Sequence, residues 1–85
     1  MKYPIPEKIT LYGTAWCGDC HRSRLVLQKN GIEYVDVDID QEEGAEQIVL
    51  DVNGGNRSVP TIIFPDGSTL TEPSRPDLEA KLANR

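Results

Sequence analysis

Cys17 and Cys20 are the side chains in this sequence best suited to covalent chemistry. A cysteine thiolate can attack a disulfide sulfur, and a second thiol within reach can then displace the bound product. Cys17-Gly18-Asp19-Cys20 follows a β-branched and aromatic run, Ile9-Thr10-Leu11-Tyr12-Gly13, and opens a stretch that has no further glycine or proline before Gly31. A Cys-x-x-Cys at such a strand-to-helix junction reads as a redox pair. The first turn of a helix offers unpaired N–H groups and the positive end of the macrodipole, and both favour a thiolate. Cys17 is therefore the expected nucleophile. Cys20, one turn in, is expected to be more buried and close enough to attack a disulfide formed on Cys17. Two other readings stay open. Zinc needs four ligands and His21 is the sole histidine, so metal or cluster ligation would have to be shared between subunits. The pair could also be inert core.

Arg57-Ser58-Val59-Pro60-Thr61 is the second constellation. A proline that opens a strand after a Gly-rich loop is a candidate cis site, with trans as the commoner alternative. A cis bond would leave the Val59 N–H and C=O free of the sheet, able to pair with an extended, peptide-like substrate. Arg57 brings a guanidinium to the same loop in an acidic chain. It could grip a substrate carboxylate bidentately, or pair with a neighbour such as Glu33. Trp16, ahead of the nucleophile, reads as a partly exposed apolar collar for substrates. Asp19 and His21 read as outward first-turn residues.

These groups need a frame. Ile9–Gly13 is the first strand, and a helix follows to Asn30 with Ser23, Val26, Leu27 and Asn30 on one face and Gly31 closing it. Glu33 to Asp40 alternates, with Val35, Val37 and Ile39 inward and Asp36, Asp38 and Asp40 outward. Asp40 and Glu43 form a capping-box pattern before a helix carrying Ala45, Ile48, Val49 and Val52, which Asn53-Gly54-Gly55 stops. Pro60 to Phe64 is a third strand, and Pro65-Asp66-Gly67-Ser68 turns it into a fourth, Thr69–Thr71. Ser74 starts a last helix, with Pro76 in its first turn. The order βαβαββα predicts an α/β fold: a four-stranded mixed sheet, parallel at the first crossover and antiparallel at the closing hairpin, with three helices on its faces.

The 85 residues are expected to form one domain, 1–85. A formal charge of −5 argues against nucleic acid or an anionic membrane as partner. The seven acids between Asp36 and Asp51, with no base among them, read as solvated surface. No run is long and apolar enough to cross a bilayer, and the first residues lack a signal-peptide pattern, so a cytoplasmic location is expected. A reducing cytosol does not support a structural disulfide, and a bridge across so short a loop would staple little.

Taken together, Trp16-Cys17-Gly18-Asp19-Cys20 after a strand, Ser58-Val59-Pro60-Thr61, and the element order resemble the glutaredoxin branch of the thioredoxin superfamily. The longer stretches Thr14 to Cys20, Val52 to Thr61 and Asp66 to Ser74 are similar to those of mycoredoxins, which reduce mixed disulfides with mycothiol. The resemblance implies Cys17 as attacking and Cys20 as resolving cysteine and a cis Pro60; substrate contacts are expected at Trp16, Arg57, Val59, Pro60 and Thr71. It implies a monomeric thiol–disulfide oxidoreductase with no metal, flavin or nucleotide cofactor. Its co-substrate would be a small thiol of mycothiol or glutathione type, and its partners proteins carrying mixed disulfides. Glutathione-using members carry a lysine shortly before the first cysteine and an aromatic residue before the second; here stand Thr14 or Ala15, and Asp19. Two alternatives are a dithiol reductase fed by a thioredoxin reductase and a module that binds an iron–sulfur cluster.

Overall fold

The computed structural model describes residues 3–84. These form β1 (Ile9–Gly13), α1 (Gly18–Lys29), β2 (Tyr34–Asp38), α2 (Ala45–Val52), β3 (Thr61–Ile63), β4 (Thr69–Thr71) and α3 (Arg75–Ala83). The sheet order is β2-β1-β3-β4, with β1 parallel to β2 and antiparallel to β3, and β3 antiparallel to β4. This is the expected four-stranded mixed sheet with three helices.

β1 is central and every one of its residues is buried. Its alternation divides the core. Ile9 and Leu11 pack with Val26 and Leu27 of α1, Ile62 and Phe64 at β3, and Leu78 and Leu82 of α3. Tyr12 packs on the opposite face with Ala45 and Val49 of α2, Ile39 and Ile63. The weak apolar stripe of α1 suffices because Cys20 and Ser23 are buried beside Val26 and Leu27. Gly31 ends that helix in the left-handed region (φ 67), which lets the Ile32 N–H reach the Leu27 carbonyl at 3.0 Å.

Two sequence expectations need correction. β2 is an edge strand of five residues, and Val35 is 44% exposed. Val35 and Val37 share the α2 face, where the eight-residue α2 covers Val37 and Ile39 but not Val35. Asp36 lies on the α1 side of the sheet, facing Arg24. The capping box at Asp40 and Glu43 does not form either. Asp38 intervenes: its Oδ1 accepts the Asp40 N–H at 2.9 Å and its carbonyl accepts the N–H groups of Gln41 and Glu42. That turn delays the helix to Ala45, and Gly44 (φ 84) stands at its N-cap with no side-chain cap. Ser74 does cap α3, accepting the Asp77 N–H at 3.2 Å, with Pro76 in the first turn.

Candidate active site

Cys17 is the N-cap of α1, in extended conformation, and half-buried. Its Sγ accepts the Cys20 backbone N–H at 3.2 Å. A helix-end amide thus points at the sulfur where negative charge would sit, which is the arrangement that stabilises a thiolate. The Cys17 thiol also lies 3.8 Å from the Val59 carbonyl oxygen. The Val59–Pro60 bond is cis, as the resemblance implies. Among the described residues the Val59 N–H has no hydrogen-bond partner and its C=O meets only the Cys17 thiol. One unused donor and one acceptor therefore stand beside the sulfur.

Cys20 occupies a different environment. It is fully buried, and burial, reinforced by the neighbouring Cys17, pushes its thiol up to about 12. Its Sγ rests over Gly13, where a Cβ would come within 2.7 Å of it. Both sulfurs are free thiols. No group of three or more His, Cys, Asp or Glu arranged for a metal occurs among the described residues.

Trp16 is 71% exposed, as a collar would be, yet it is tethered. Its Nε1–H donates to Asp40 Oδ2 at 3.0 Å, while Asp40 Oδ1 accepts from Arg57 Nη2 at 2.6 Å. Arg57 Nε in turn donates to Glu46 Oε2 at 2.7 Å. The Arg57 guanidinium is therefore held by two carboxylates of its own chain, and Glu33 is taken by Lys8 at 2.6 Å. The tertiary fold brings these acids to Arg57, which is why neither a vacant fork nor a Glu33 pair forms. An Asp40→Ala protein should keep its fold, since exposed pairs of this kind contribute little to stability. The anisotropy of its sole tryptophan should fall as the ring is freed; unchanged anisotropy would show that something other than Asp40 holds Trp16.

Thr71 lies opposite Thr61 in the β3–β4 ladder, next to Pro60. Its hydroxyl donates to Asn53 Oδ1 at 2.6 Å, and Asn53 Nδ2 donates to Thr61 Oγ1 at 2.9 Å and the Val49 carbonyl at 3.0 Å. Glu72 follows in the left-handed region (φ 47), with its N–H donated to the Pro60 carbonyl at 2.8 Å. The fold thus brings Trp16, Cys17, Cys20, Val59 and Pro60 together, sets Thr71 on their border, and ties Arg57 to Trp16 through Asp40. Asp19 is outward and 3.2 Å from Arg22.

The glutaredoxin family model matches residues 9–68. The chain belongs to the glutaredoxin family. It is a thiol–disulfide oxidoreductase. A protein of Mycobacterium tuberculosis named a glutaredoxin is 50% identical over 78 residues, covering 92% of this glutaredoxin and 93% of that protein. Mycoredoxin 1 of Corynebacterium glutamicum is 40% identical over 76 residues, 89% of this chain and 94% of its own. The crystal structure of a glutaredoxin from Archaeoglobus fulgidus superposes with a TM-score of 0.73 at 22% identity, over 89% of this chain and 86% of the other. No helix among the described residues of this glutaredoxin is long and apolar enough to cross a membrane.

Sequence reasoning gives no part in the site to Gly13, Arg24, Asp40 or Asn53. Gly13 had a signal: a glycine at the end of a β-branched strand marks a close approach. The other three act through pairings that only the tertiary fold creates.

Proposed function

We propose that this glutaredoxin reduces mixed disulfides between proteins and a small thiol of the mycothiol or glutathione type, with Cys17 attacking and Cys20 resolving. The Cys17 thiolate attacks the small-thiol sulfur and the protein thiol departs. A second small thiol, or Cys20, then frees Cys17. The observation that carries this reading is the contrast between the two sulfurs: Cys17 half-buried on a helix-end N–H beside the open Val59 peptide, Cys20 sealed beneath it. Val59 would hold an extended substrate by its N–H and C=O, Pro60 and Thr71 would border that strand, and Trp16 would cover the apolar flank. Arg57 serves by steadying Asp40 and Trp16.

The 40% identity to a protein named mycoredoxin supports mycothiol, as do Thr14, Ala15 and Asp19 where glutathione-using relatives differ. The reading includes work as a monomer in the reducing cytoplasm, with electrons supplied from a thiol pool and no bound cofactor. Turnover of one mixed-disulfide substrate with mycothiol, glutathione or thioredoxin reductase as electron source tests it. Mycothiol should support the highest kcat/KM. Turnover with the reductase alone would overturn the small-thiol assignment, and visible absorption bands in anaerobically purified protein would favour a cluster module.

A further inference from the structure

The geometry points to Arg24 as a positioning residue for the resolving half-reaction, the step in which Cys20 attacks the disulfide held on Cys17. The inference rests on Cys20 being the resolving cysteine. Cys20 is buried and strongly held as a thiol, so something inside the fold must favour its ionised form when it attacks. Arg24 follows Cys20 by one helical turn, on the same face of α1. Its side chain is 14% exposed. Its Nη2–H donates to the Thr14 carbonyl at 3.1 Å, and a backbone hydrogen bond from Thr14 eases the ionisation of Cys20, as does the Arg24 charge itself. One guanidinium thus both fixes the segment that touches the Cys20 sulfur and supplies the nearby positive charge.

Asp36 of β2 balances that charge. Its Oδ2 is 2.8 Å from Arg24 Nε, yet the N–H is not aimed at a partner, so the contact is Coulombic and not a directed hydrogen bond. A cleft of about 420 Å³ lined by Ala15, Arg24, Asp36 and Asp38 lies beside this pair. The groups acting on Cys20 are Cys17 from the helix start, the Thr14 backbone from the preceding loop and Arg24 from one turn on, while Asp36 and Asp38 of β2 face Arg24 across the cleft. In the step itself Cys20 loses its proton and its sulfur bonds to Cys17 Sγ. The bond from Cys17 to the small thiol breaks, and that thiol leaves with the proton: Cys20 is oxidised and the leaving sulfur reduced.

The test loads Cys17 with a nitrothiobenzoate mixed disulfide and follows release of the yellow anion in a single turnover across pH. Arg24→Gln should slow release at neutral pH and move the profile to higher pH, the direction that loss of a nearby opposite charge gives. Arg24→Lys, which keeps the charge but not the fork, should recover most of the profile. Asp36→Asn, at a half-exposed edge position, removes the balancing charge and should speed release even if the Arg24 variants fold poorly. Wild-type release in Arg24→Gln, or no acceleration in Asp36→Asn, overturns the role of Arg24. Unimpaired release in Cys20→Ser would instead overturn the resolving assignment of Cys20.

Discussion

A Cys17→Ser protein is expected to reduce no disulfide above background, while Cys20→Ser keeps turning over small-thiol mixed disulfides when excess thiol is present. The asymmetry follows from the two environments. Cys17 has a helix-end N–H on its sulfur and reaches the surface. Cys20 has no exposure, and burial together with the neighbouring Cys17 holds its thiol well above the usual cysteine range. It cannot substitute as first nucleophile toward a protein. It can still act intramolecularly, where proximity replaces concentration. Cys20→Ser should therefore lose turnover on protein disulfides that need a second internal thiol. Steady-state assays on both substrate types decide the matter: turnover in Cys17→Ser with a dead Cys20→Ser would reverse the assignment, and equal loss in both would make the chemistry dithiol throughout.

The second large effect comes from a residue with no side chain. In a Gly13→Ala protein the new methyl would stand 2.7 Å from Cys20 Sγ and 3.2 Å from both Cys20 Cβ and Leu11 Cδ2. Cys20 and Leu11 are fully buried, and Gly13 is flanked by β2, so none of them has room to retreat. Overpacking of this kind costs about 1–3 kcal/mol, occasionally more. For a domain of this size each kcal/mol lowers Tm by about 4–8 °C. Thermal melts should show that drop. Where the chain still folds, the displaced Cys20 should slow dithiol reduction more than small-thiol turnover. An unchanged Tm would mean that α1 can slide off the strand without penalty.

Local signals carried far in this sequence. The buried stripe of α1, the cap at Ser74, the closing glycine at Gly31 and the order of the strands are all written in short windows of residue type. The identity of the nucleophile region was legible because Cys17 and Cys20 sit where a strand passes into a helix. The fate of Arg57 was not. Its partners Asp40 and Glu46 lie on other segments, and in a run of seven acids nothing local selects those two. Val35 failed for a related reason: alternation assigns a face but not whether a helix is long enough to cover it. At α2 the capping pattern was present in letters, but the Asp38 side chain satisfied the local N–H groups first.

Asn53 is followed by Gly54, a sequence in which an unrestrained asparagine is prone to lose its amide nitrogen, among the chemical weak points of proteins at high temperature. Here the amide is held by Val49, Thr61 and Thr71. Loss of this amide is thereby tied to how often the corner opens. Once converted, a carboxylate at that position could no longer donate to the Val49 carbonyl or the Thr61 hydroxyl, and each opening would make the next one easier. The lifetime of that asparagine is set at the junction of α2, β3 and β4.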